Sequence, residues 1–192
     1  MNRTRWLTQV GVLGALSAVL MFFSIPLPFV PDFLRLDLAE LPALVGLFTV
    51  GPLGAVAIEG IKNIVHLMST RTFGIGEMAN FIIGSSLVLG TYWGLRWSLG
   101  MWLSLMVGVL VMAICAGFMN FFLLIPLYAW ALGIPIETLV SLGHAANPHI
   151  IDLRSLILWG IMPFNLVKGC LVSVAAASVL PRLKRWLNSE ER

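Results

Sequence analysis

Residues 6–31, 41–58, 78–95 and 97–136 contain no charged side chain. Runs of this length match the roughly 17 to 25 apolar residues that carry a helix across about 30 Å of hydrocarbon. That feature leaves few folds open, because backbone in lipid must satisfy its own hydrogen bonds within helices or closed barrels. Long uninterrupted apolar runs, without alternation, choose helices. The composition agrees: 59% of the 192 residues are hydrophobic and 11% are charged. An all-α integral membrane protein follows. A nucleic-acid-binding domain, a disordered chain and a disulfide-stapled secreted module are excluded.

Six transmembrane helices in one domain, 1–192, fit the punctuation. The first covers about 7–25 and stops at Pro26 and Pro28, whose rings fix φ and remove amide hydrogens. The second takes 38–50, and Gly51-Pro52 opens the third, which runs to about 69. The fourth covers 77–95, the fifth lies within 97–131, and the sixth runs 155–180 before Pro181. The stretch 97–136 holds either one long helix with a buried loop or two helices turning near Gly117. Arg3 and Arg5 at one end and Arg182, Lys184 and Arg185 at the other place both termini in the cytoplasm by the positive-inside rule, which requires an even number of spans. Asp32, Asp37, Glu40, Glu77, Glu137 and Asp152 then gather on the outer side. Cys115 and Cys170 sit inside apolar runs and read as small buried side chains.

Polar side chains at membrane depth cost several kcal/mol, so each needs a partner or a cavity. In the third helix Glu59, Lys62, Asn63 and His66 form one stripe at i, i+3, i+4 and i+7. The stripe reads either as a self-neutralising pair or as ligand contact. In the sixth, Asn165 and Lys168 share a face within PFNLVKG, and Lys168 has no carboxylate within a turn. It must meet a cavity, the interface or a partner from elsewhere. Asn120 sits in an uncharged run ahead of Pro126 and Tyr128, where its amide bonds a neighbouring helix or reads a ligand edge. The loop FLRLDLAELP, 33–42, alternates apolar residues with Arg35, Asp37 and Glu40. It is too apolar for a solvated connector and is expected to fold back as a lid.

No phosphate loop is present, so no ATP site and no cofactor are expected on this chain. His144 and His149 miss helical metal-pair spacing, and no metal or catalytic site is expected. Small residues recur four apart in the first helix, Gly11 with Ala15 and Gly14 with Ala18, giving faces that let another helix approach closely. That partner is internal or another protein.

Taken together, FLRLDLAELPAL at 33–44, GPLGAVAIEGIKN at 51–63, GEMANFI at 76–82, MNFFLLIPLYAW at 119–130 and PFNLVKG at 163–169 resemble the substrate-binding S components of energy-coupling factor (ECF) vitamin transporters. The resemblance covers nearly the whole chain and is nearest to the riboflavin-specific branch. Phe33, Ala39 and Phe121 depart from the Tyr, Ser and Tyr expected there.

The resemblance implies a six-helix S-component fold in a prokaryotic cell membrane that captures the vitamin under the first loop. It implies as partners an ECF transmembrane coupling subunit and two cytoplasmic ATPases, with Gly11, Gly14, Ala15 and Ala18 facing the coupling subunit. Riboflavin's pyrimidine edge asks for Asn120, Asn165 and Lys168. Its ring asks for walls such as Leu36, Phe33, Phe164 and Tyr128, and its ribityl hydroxyls for Asn80 or Glu77. The alternatives are an S component for folate, thiamin or pantothenate, an intramembrane enzyme using Glu59, His66 and Ser85, and a solitary facilitator.

Overall fold

The breaks between elements fall where glycine, proline and capping side chains put them. The computed structural model describes residues 2–28, 30, 31, 34–70 and 72–190, with side chains to 182. Asn2 caps α1 (Arg3–Phe22) by accepting from the Thr4 amide at 3.3 Å. The chain then forms an antiparallel ladder of two short strands, β1 (Ile25–Pro26) and β2 (Arg35–Leu36), with Ile25 opposite Leu36. α2 (Leu41–Thr49) and α3 (Gly51–His66) each carry proline in the first turn. Between them Gly51 turns the chain at φ 82°, a left-handed conformation that only glycine adopts freely.

A short 3₁₀ turn (Leu67–Ser69) leads to α4 (Ile75–Arg96). α5 (Met101–Met119) continues through a π-helical turn (Asn120–Leu124) into α6 (Ile125–Leu132). α7 (Ile136–Ala146) follows, then α8 (Leu153–Leu156), a second π-helical turn (Ile157–Ile161) and α9 (Met162–Glu190). α8 starts at a capping box. The Asp152 carboxylate accepts from the Ser155 amide at 2.7 Å, which holds its carboxyl below the usual carboxylate range.

The packing has two halves. α1 lies along α3, while α4 pairs with α5 and α5 with α9; α2 and α3 bridge the halves. Small residues permit the α4–α5 contact. A Cβ on Gly108 would sit 2.7 Å from the Leu87 carbonyl, and one on Gly94 would sit 2.7 Å from the Ser104 Cα.

Four helical stretches are long and apolar enough to cross a membrane: Arg3–Phe22, Ile75–Arg96, Met101–Leu132 and Leu153–Arg182. The run 97–136 holds one long rod, the first of its two readings, with no turn at Gly117, which packs against Met162 and Ile157. Two other points depart from the sequence expectations. The final helix passes through Pro181 instead of ending there. α7 was not expected. At 11 residues it is too short to span a bilayer, and its buried residues are Leu139 and Gly143.

Candidate ligand pocket

A cavity of about 130 Å³ lies where α4, the α5–α6 rod and α9 meet beneath the first loop, smaller than the roughly 300 Å³ at which drug-sized sites begin. α9 contributes Phe164, Asn165 and Lys168, and the rod contributes Met112, Asn120 and Tyr128. α4 contributes Gly76, Ala79, Asn80, Ile83 and Gly84, and the loop brings Leu34, Arg35 and Glu40. Asn120, Asn165 and Lys168, far apart in the chain, therefore converge.

Each amide is held by its own helix. Asn120 Nδ2 donates to the Ala116 carbonyl at 2.8 Å, and Asn165 Nδ2 donates to Ile161 at 2.8 Å. Asn120 opens the first π-helical turn, and Asn165, in the first turn of α9, bonds back to Ile161, which closes the second. Such bulges rotate side chains off the regular helical face and recur at functional sites. Asn80 Oδ1 and Glu40 Oε2, both buried, line the same cavity with no hydrogen-bond partner among the described residues. Two orphan acceptors on a cavity wall call for a ligand that brings donors. Tyr128 carries its hydroxyl to Gly76 and the Thr72 side chain; a Cβ on Gly76 would lie 3.0 Å from it.

The partner of Lys168 comes from the loop. Its Nζ lies 3.1 Å from Asp37 Oδ2 and 2.9 Å from Glu40 Oε1. Glu40 Oε1 also receives Lys62 at 3.1 Å, and Lys62 pairs with Glu59 within α3. Two carboxylates of the loop thus plug into lysines of α3 and α9. Three ammonium donors less two contacts leave Lys168 one N–H for a ligand carbonyl. The loop is pinned elsewhere too: Ser17 donates to the Ala39 carbonyl, and the Ala39 amide donates to Asp37 Oδ1 at 2.9 Å.

Several expected residues fall elsewhere. Leu36 is half-buried but off the cavity wall, where Leu34 stands two residues earlier. Phe33 lies outside the described residues. Glu77 does not line the cavity: its Oε1 lies 2.8 Å from His66 Nδ1 and its Oε2 accepts from Thr70 at 2.8 Å. The α3 stripe is consumed internally, Glu59 with Lys62, Asn63 donating to the Glu59 carbonyl at 2.8 Å, His66 with Glu77. On α1, Gly14 and Ala18 are buried, and a Cβ on Gly14 would lie 2.8 Å from Ile61; Gly11 and Ala15 are exposed.

Glu40, Asp37 and Leu34 were missed as site residues. The available signal was a lysine without a local carboxylate beside two acids in an apolar loop.

The helices form an apolar bundle around a loop-covered polar cavity, and comparison with known proteins gives its family. The chain belongs to the family of the ECF transporter substrate-specific component, which matches residues 5–180. It is 30% identical over 194 residues to the riboflavin transporter FmnP of Bacillus subtilis, covering 98% of this chain and 96% of that protein. It is also 30% identical to the riboflavin transporter RibU of Staphylococcus aureus, covering 97% and 94%. A solved structure of the S component of a bacterial ECF transporter superposes with a TM-score of 0.78 at 27% identity, covering 97% of this chain and 99% of that one.

Proposed function

We propose that this chain is the riboflavin-binding subunit of an ECF-type vitamin importer, capturing the vitamin on the outer face of a prokaryotic cell membrane. The observation that carries the reading is the convergence of Asn80, Asn120, Asn165 and Lys168 on one loop-covered cavity. In this reading the flavin ring lies between Leu34, Ile83, Met112 and Phe164 and widens the cavity on entry. Its pyrimidine edge alternates carbonyl acceptors with an N–H donor, matching the remaining Lys168 N–H and the two helix-anchored amides. The ribityl hydroxyls supply the donors that Glu40 Oε2 and Asn80 Oδ1 lack.

In this reading six helices cross the bilayer, α2 and α3 being the two short ones, with both termini cytoplasmic. α7 lies at the outer interface, too short to span. Transport energy comes from partners, a transmembrane coupling subunit and two ATPases. Gly11 and Ala15, the outward pair on α1, offer the coupling subunit a close approach.

Purified protein that copurifies with its ligand should be yellow, with flavin absorbance released on denaturation. Colourless protein that binds no added riboflavin, tested against folate, thiamin and pantothenate, would overturn the assignment. A phosphorylated flavin carries up to about two further negative charges and would bring them beside Glu40 with both lysines already paired. It should bind more weakly than riboflavin.

A further inference from the structure

The ionisable groups buried beneath the pocket do not balance. Asp37, Glu40 and Glu59 bring three carboxylates, against the two ammonium groups of Lys62 and Lys168. All five are 7% exposed or less. No other cation among the described residues enters the network: Arg35 is turned to Ser24, to which it donates at 2.9 Å, and His66 is engaged by Glu77.

Glu59 is the member with least support. It is fully buried, and Lys62, on Oε2, is its one cation, whereas Glu40 has two lysines and Asp37 has Lys168 and the Ala39 amide; Glu59 Oε1 has no partner among the described residues. Its carboxyl packs on the Gly84 notch of α4, and the next residue, Ser85, buries a hydroxyl that also lacks a partner. The network thus holds one carboxylate more than its ammonium groups neutralise, and an excess buried charge in a dry interior is less stable than the neutral acid. A metal cation could supply the missing charge, but it needs several ligands around one point. Among the described residues no three His, Cys, Asp or Glu side chains are so placed. A proton needs one oxygen.

We propose that Glu59 is a proton-binding site loaded by closure of the first loop. With the loop lifted, Asp37 and Glu40 leave the network, and Glu59 stays as the carboxylate partner of Lys62, with Lys168 uncovered. Closure inserts two carboxylates and the network takes up one proton, which settles on Glu59. The charged groups around Glu59 are Lys62 on α3, Glu40 at the start of α2 and Lys168 on α9; α4 meets it at Gly84, next to Ser85. Ligand capture is thereby linked to protons. The inference rests on the pocket being a site that the loop covers.

Riboflavin titrations of the full chain by calorimetry, in buffers of different ionisation heat, count the protons. Wild type is expected to take up about one proton per flavin, and E59Q, whose amide needs none, should show no uptake. Zero uptake by wild type overturns the proposal whether or not the variant folds. So does a sodium requirement for binding without proton uptake, which would assign the charge to a metal cation. Should riboflavin not bind at all, the flavin reading falls alone, and infrared spectroscopy decides the proton. Protein with its loop fixed by an S17C/A39C disulfide is expected to show a protonated-carboxyl band that E59Q removes. Absence of that band overturns the proposal.

Discussion

The polar stripe of α3 and the polar pair of α9 look alike along the chain, yet they do opposite work. Each places an amide and a lysine within about a turn of helix at membrane depth. On α3, Lys62 has Glu59 one turn away, so its charge is paired on its own helix whether or not Glu40 of the loop is in place. On α9, Asn165 and Lys168 have no acidic neighbour within a turn and face a cavity that the first loop covers, with Lys168 paired to the loop's Asp37 and Glu40. A buried polar group in a membrane is a tie when its partner is fixed. It becomes a site when its partner can move away.

The largest effect should come from breaking the tie. Lys62→Met would leave Glu40 and Glu59 without their shared cation, a change that typically costs about 3 to 5 kcal/mol. It should lower the thermal unfolding midpoint in detergent sharply, with partial rescue by E59Q on the same background. A midpoint close to wild type would show that the α3 pair holds nothing together.

Next comes the site. Lys168→Met uncouples the loop and removes a ligand donor, so flavin affinity should fall by about 2 to 5 kcal/mol, mostly through a faster off-rate. Asn165→Leu should cost about 1 to 3 kcal/mol and leave the loop contacts intact. Equal losses for the two would erase the distinction between loop anchor and ligand reader. Hydrogen exchange sharpens the same point: the segment 34–40 should be protected by flavin in wild type and stay open in K168M.

The smallest effect on binding is expected on α1, where the two small-residue pairs part company. Ala15→Trp should keep flavin affinity within a few fold while abolishing uptake or complex assembly. Gly14→Leu should destabilise the isolated protein by about 1 to 3 kcal/mol, because its side chain must enter the space of Ile61. Lost affinity in A15W would mean that this face packs within the bundle.

The sequence alone carried the class of the protein and much of its site. Charge-free runs set the membrane and the main helices, because the cost of charge in hydrocarbon is a local property. Asn80, Asn120, Tyr128, Phe164, Asn165 and Lys168 were legible as polar or aromatic residues in ordered motifs, and all six line the cavity. Helical periodicity says which residues share a face. It is silent on what that face meets.

Tertiary structure decided the rest. The contact of Lys168 with Asp37 spans 131 positions, and no pattern within a helix encodes it. Glu77, an apt ribityl partner by type, was captured by His66 and Thr70 at the α3–α4 connection. The first loop put Leu34 on the cavity wall and left Leu36 off it. Gly11 and Gly14 are identical in chemistry and three positions apart. One is exposed and the other lies against Ile61: three steps of a helix leave the two positions only about 60° apart, so packing alone fixes that the edge between inside and outside falls between them.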